Sequence, residues 1–139
     1  MKLKLHHIGC AVNNIENAKK YYCEIFGFKY EKGYISEEMN LRAAFLYKEE
    51  NDIYIELIQK LNYNNKSSID KILEDRMGGV YHACFLVRDM KQALEELSKK
   101  EFIVLNRKNI ETHDFIARFL ITPDNYIIEI LQEKITQYN

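Results

Sequence analysis

At 139 residues the chain has room for one domain, or for two small halves sharing a core, and its hydrophobic residues, 47% of the total, suffice to build that core. With 20 basic and 21 acidic residues the formal net charge is -1, which argues against a nucleic-acid surface. No apolar run approaches the ~20 residues that cross a bilayer. Three cysteines without CxxC spacing (Cys10, Cys23 and Cys84) fit a reducing cytoplasm, packing as small apolar side chains.

In chain order, MKLKLHH is basic and alternating and has no long apolar run behind it, so it reads as the start of a strand over 3–12 and not as a secretory signal. Asn13 or Asn14 can cap a helix that runs to about Phe26, with Ile15, Ala18, Tyr22 and Ile25 on one face and Gly27 ending it. Strands follow near 28–35, 40–48 and 52–60. Ser67 or Ser68 is placed to cap a short helix, Ile69 to Arg76, closed by Gly78-Gly79. Next come a strand over 80–88, a helix over 89–100 begun by Asp89, and strands near 102–106, 114–122 and 126–132. Pro123-Asp124-Asn125 is a turn, and the polar tail QEKITQYN reads as a fraying end.

This order repeats itself. With His7 laid over His82, LHHIGCAVNNIENAKKYY falls on VYHACFLVRDMKQALEEL, matching Val12 with Val87, Ile15 with Met90 and Ala18 with Ala93. Further on, AAFL at 43–46 meets ARFL at 117–120, and YIELIQ at 54–59 meets IIEILQ at 127–132. The register drifts by only two residues, as small loop changes would cause. Each half is therefore a β-α-β-β-β module: residues 1–62 and 79–134, joined by a helical linker over 63–78, within a single domain, 1–139.

The repeat isolates four residues, His7 and His82 on the first strands and Glu56 and Glu129 on the last. A glutamate in an apolar strand can simply face solvent on a one-sided sheet. Here both parities around it are apolar (Ile53, Ile55 and Leu57; Tyr54 and Ile58), which favours burial. An unpaired buried carboxylate costs several kcal/mol or more, and a divalent cation can offset two at once. Imidazole and carboxylate are both good ligands for such an ion. Each half would supply one nitrogen and one oxygen.

The segments LHHIGCAVNNIENAKKYYCEIFGF, YIELIQ, GGVYHACFLVRDMKQALEEL and FLITPDNYIIEILQ resemble the vicinal oxygen chelate superfamily, which includes glyoxalase I, methylmalonyl-CoA epimerase, extradiol dioxygenases and bleomycin-resistance proteins. The family's late Asp-Pro-(Asp/Asn)-Gly motif has Thr122 in place of the Asp and Asn125 in place of the Gly, and Asn tolerates positive φ. The resemblance implies an α+β fold, with two tandem βαβββ modules forming a U-shaped, mostly antiparallel eight-stranded sheet around a metal. It also implies one divalent ion per site (Ni, Co, Zn or Mg), held by His7, Glu56, His82 and Glu129, and commonly a homodimer.

Four protein ligands leave about two positions open on a six-coordinate ion. This suits a metal-dependent lyase or isomerase that removes a proton beside a carbonyl, through an enediolate or enolate. Glu129 is the expected base, by resemblance to glyoxalase I and the epimerase, and Glu56 can act from the opposite face. Glu56 in the ligand set favours a glyoxalase I-like lyase converting a hemithioacetal to a 2-hydroxyacyl thioester. GGVYHACFLVRDM resembles the epimerase instead, so a thioester epimerase stands close behind. An Fe(II) extradiol dioxygenase, which would use two His and one Glu, and a non-enzymatic small-molecule binder are the remaining classes. Arg42, Arg107, Lys108 and Arg118 read first as surface residues and second as grips for a charged substrate tail, with Arg118 singled out because Ala44 is its counterpart. Cys84 shares the parity of His82. His6 and His113 read as surface residues, and Phe45, Tyr47, Phe119 and Tyr126 as core or cavity wall.

Overall fold

A computed structural model describes residues 1–134. Among them are nine strands and three helices: β1 (Lys4–Ala11), α1 (Ile15–Glu24), β2 (Lys29–Ser36), β3 (Leu41–Lys48), β4 (Ile53–Lys60), α2 (Asp70–Arg76), β5 (Gly79–Val87), α3 (Met90–Ser98), β6 (Ile103–Val104), β7 (Ile110–Glu111), β8 (Phe115–Ile121) and β9 (Ile127–Glu133). Residues 7–81 form one compact unit; residues 1–6 and 82–134 belong to the other. No helix is long and apolar enough to cross a membrane.

In the unit of residues 7–81 the strand order is β2-β3-β4-β1, antiparallel except for the parallel β1/β4 pair. Helix α1 forms where the sequence places it. The Asn14 side chain accepts a hydrogen bond from the Asn17 amide, a cap that stabilises such helices by about 1 kcal/mol. The helix ends at Glu24, two residues before Phe26, because the chain turns at Ile25 and Phe26 and passes through Gly27 at φ +76. Its apolar face packs Ile15 and Ala18 against Leu46 and Leu57, all buried. Full burial of one such aliphatic side chain contributes about 1.5–3 kcal/mol.

Helix α2 starts one residue later than expected, after Ile69, and no serine side chain caps it. Instead Asp70 accepts from the Ser67 amide and from the Lys60 ammonium, at 2.9 and 2.7 Å. The Lys60 bond, followed by the amide, holds the Asp70 carboxyl below its ordinary range. The helix closes with Met77 in the left-handed region (φ 60), and Gly78 donates back to the Ile72 carbonyl. Gly78 lies at φ +121, where a Cβ would stand 2.6 Å from the Ala11 carbonyl oxygen. Gly78→Ala is therefore expected to destabilise the protein by ~2–4 kcal/mol. Met77→Gly, at a left-handed and exposed position, should stabilise it by ~1 kcal/mol. Urea unfolding of the two variants, followed by circular dichroism, would show these opposite signs.

In the other unit the order is β5-β9-β8-β6, with β7 also pairing β8; β5/β9 is parallel and the rest antiparallel. Asp89 caps α3 through the Gln92 amide, and Met90, Ala93 and Leu97 pack against Leu120 and Ile130. This unit departs from the expected four strands. Where the first half has one eight-residue strand, the second has two of two residues, β6 and β7, so the total is nine strands and not eight. The polar run between them, Asn106 to Asn109, leaves the ladder and is held by side chains, with Asn106 accepting from the Phe119 amide. The turn at 123–125 forms as read, with Asn125 at φ 67. Gln132 and Glu133 extend β9, and the Lys134 amide donates to the Asp114 carbonyl at 2.7 Å, so fraying does not begin at Gln132. The remainder of the tail, 135–139, lies outside the described residues.

Candidate metal-ligating pairs

Each unit brings one histidine and one glutamate together. In the first, β1 and β4 run parallel with His7 beside Tyr54 and Gly9 beside Glu56. His7 and Glu56 are only 1% and 5% exposed, and His7 Nε2 lies 3.8 Å from Glu56 Oε1. In the second, β5 and β9 set His82 beside Ile127 and Cys84 beside Glu129. His82 and Glu129 are 4% and 8% exposed, and His82 Nε2 lies 3.1 Å from Glu129 Oε2. The glutamates of YIELIQ and IIEILQ are thus buried as expected, each against the histidine of its own half.

The donor chemistry and spacing fit a divalent ion. Bonds of about 2.1 Å to adjacent positions of an octahedral or tetrahedral ion separate the ligand atoms by about 3.0–3.5 Å. The two separations lie near that window. Each pair offers one imidazole nitrogen and one carboxylate oxygen on neighbouring parallel strands.

The same aromatic ring supports each histidine. Phe45, paired with Glu56, meets His7 edge-on at 5.4 Å. Phe119, paired with Glu129, meets His82 edge-on at 6.0 Å. Beyond this the two walls differ position by position. Tyr47 faces Tyr54 in the first unit, and Ile121 faces Ile127 in the second. Tyr34 pairs with Ala43, whereas Ile110 pairs with Ala117. The first wall is therefore phenolic and the second aliphatic. Burial and a hydrogen bond to Glu31 push the Tyr54 phenol up to about 12. The Asp52 carboxylate bonded to Tyr47 raises that phenol too. Both are neutral donors at physiological pH.

Two features escaped the sequence reading. The first is Tyr34, whose hydroxyl donates to Glu56 Oε2 at 2.8 Å. A slip in the β2/β3 register between Tyr30 and Lys32 sets it there, by shifting the period-two alternation on which its direction depends. The second is the terminal glutamine of each repeated motif. Gln59 Oε1 accepts from the Ile15 amide at 2.8 Å, and Gln132 Oε1 from the Met90 amide at 2.6 Å. The recurrence of Gln three residues after Glu was the available signal.

The remaining candidates fall away from the pairs. Arg42 binds Glu16 at 2.8 Å on the surface. Arg118 pairs with Ile130 while its neighbour Phe119 pairs with Glu129, so it lies on the opposite face from the carboxylate. Its guanidinium reaches Asn109 at 3.2 Å and the Arg107 carbonyl at 3.5 Å, bracing that loop, so the alternative of a substrate grip finds no support here. Arg107 and Lys108 are exposed on the same loop. Cys84 is fully buried with Ala117 and Leu131. His6 packs edge-on against Phe115, and exposed His113 pairs with Asp114.

Comparisons with known proteins bear on the family and the fold. The family model for the Glyoxalase/Bleomycin resistance protein/Dioxygenase superfamily matches residues 6–119. An uncharacterised protein of Bacillus subtilis (strain 168), YqjC, is 25% identical over 139 residues, 98% of this chain and 96% of that protein. Among solved structures, a hypothetical protein of Bacillus halodurans C-125 aligns at a TM-score of 0.86 and 22% identity over 100% of both chains. The methylmalonyl-CoA epimerase of Mycobacterium tuberculosis aligns at 0.83 and 21%, covering 94% of this chain and 88% of that one. At such identities the solved structures establish a shared α+β fold.

Proposed function

Since the chain belongs to the glyoxalase/bleomycin resistance/dioxygenase superfamily, we propose that it is a divalent-metal-dependent enzyme that removes a proton from the carbon beside a carbonyl. The observation that carries this reading is the duplicated buried His–Glu pair. Neither carboxylate is positioned as a surface group, and each has an imidazole nitrogen within 4 Å. On this reading His7, Glu56, His82 and Glu129 would together hold one ion (Ni, Co, Zn or Mg), with the 139 residues acting as one domain and the protein as a homodimer, as the resemblance implies. When bound, the ion draws electron density from a carbonyl and so makes the adjacent C–H more acidic.

The chain's own residues supply the rest. Glu129, whose carboxylate is buried beside His82, accepts the proton and returns it. Glu56 presents a second carboxylate from the other half. Phe45 and Phe119 fix the planes of the two imidazoles and keep water from them. The phenolic wall of Tyr47 and Tyr54 offers hydrogen bonds to a polar substrate, while Ile121 and Ile127 meet its apolar part. The three cysteines are free thiols in the fold, which supports a cytoplasmic setting.

A glutamate at position 56 favours a glyoxalase I-like lyase, with a hemithioacetal converted to a 2-hydroxyacyl thioester. The opening of the second half, GGVYHACFLVRDM, favours instead epimerisation of a 2-substituted acyl-CoA thioester. The purified protein, stripped and reloaded in turn with Ni, Co, Zn and Mg, is to be assayed with the methylglyoxal–thiol hemithioacetal and with methylmalonyl-CoA. Turnover of the first alone supports the lyase, and turnover of the second alone the epimerase. A protein that binds no divalent ion and turns over neither contradicts the proposal.

A further inference from the structure

Resting on the metal reading above, we infer that Tyr34 is a positioning residue that fixes Glu56 as a one-oxygen ligand. The two carboxylate oxygens of Glu56 have different neighbours. Oε2 accepts the Tyr34 hydroxyl at 2.8 Å, and Oε1 is the oxygen 3.8 Å from His7 Nε2. A carboxylate held through one oxygen presents the other in a single direction, which is how outer partners orient metal ligands.

The position of Tyr34 is itself specified by the fold. Tyr30 stands opposite Leu46, so in a regular ladder Tyr34 would stand opposite Arg42, on the side of α1. The extra residue, Glu31, restores Lys32 opposite Phe45 and Tyr34 opposite Ala43, on the face that carries Glu56. Glu31 is in turn bonded by Tyr54, which pins the slip. The Tyr34 ring lies 6.0 Å from Phe45, the same ring that supports His7. One aromatic thus links the phenol, the imidazole and the carboxylate.

The second unit has no phenol at this place. Ile110 occupies the matching register opposite Ala117 and packs with Cys84 and Leu131 on the face of Glu129. Duplication gave both halves the histidine, the glutamate and the phenylalanine, and in the first half β2, one strand beyond β3, also sends a phenol to the glutamate.

The test compares wild type, Tyr34→Phe and Tyr30→Phe as full chains titrated with Co(II). The dissociation constant and the visible absorption spectrum of the bound ion are recorded, together with the thermal unfolding of the metal-free proteins. Tyr34 is 42% exposed, so Phe in its place should fold normally. Tyr34→Phe is expected to weaken Co(II) by about 10–100-fold and to alter the spectrum, with metal-free unfolding unchanged. Tyr30→Phe, on the opposite face of the same strand, should match wild type. Wild-type affinity and spectrum in Tyr34→Phe overturn the inference while the metal reading stands. Failure of wild type itself to bind Co(II) overturns both.

Discussion

Glu129→Gln is expected to lower turnover by about 10²–10⁴-fold, with the metal content largely kept. The amide is nearly the size of the carboxylate, so the packing of β9 against β8 survives, and an amide oxygen can still face the ion. What disappears is the capacity to take a proton from carbon and return it. The measurement is kcat on whichever substrate the wild type turns over, with bound metal determined on the same samples. Glu56→Gln is the comparison, because it also keeps an oxygen for the ion and should lose far less in kcat if Glu56 serves mainly as a ligand. Equal turnover by Glu129→Gln and wild type would remove Glu129 from the proton-transfer role.

Replacing either histidine is expected to have the larger effect on metal binding itself. His7→Ala and His82→Ala should each weaken a divalent ion by more than about 100-fold, the upper end of what losing a mere supporting partner costs. Each would remove one of the two proposed nitrogen ligands and leave a buried glutamate beside a cavity. Competition against a chelator of known affinity gives the number. The two variants should fall together, since the repeat assigns both histidines the same task. A loss confined to one of them would mean that the other pair is structural.

Most of the scaffold was legible in the sequence because local chemistry and periodicity agreed. Asn14 and Asp89 cap the helices they were expected to begin, and Asn125 adopts the positive φ that let it replace glycine. The two histidines and two glutamates were legible for a different reason: a costly residue that recurs at matched positions signals more than either occurrence alone. Tyr34 was hidden because one added residue in β2 reverses the face on which a tyrosine lands, and alternation read from sequence presumes no slip. The shortening of β6 and β7 was hidden because Val104 to Ile110 combines strand-forming residues with the polar run Asn-Arg-Lys-Asn, and hydrogen bonds of its asparagine side chains decide between them. Arg118 looked like a departure aimed at substrate because its counterpart is Ala44. Its length serves instead to reach across to a neighbouring loop.

The glutamine that closes each repeated motif bears on which substrates the helices can greet. The opening amide of α1 and of α3 is already bonded to Gln59 or Gln132, and the third is bonded to Asn14 or Asp89. Of the first three donors of either helix, only the second is left, belonging to Glu16 in one and Lys91 in the other. Helix starts that elsewhere cradle phosphate are therefore closed to it here. An anionic tail on a substrate is expected to find its counter-charge on side chains, and the affinity for such a tail should answer to lysine and arginine substitutions and not to the starts of α1 and α3.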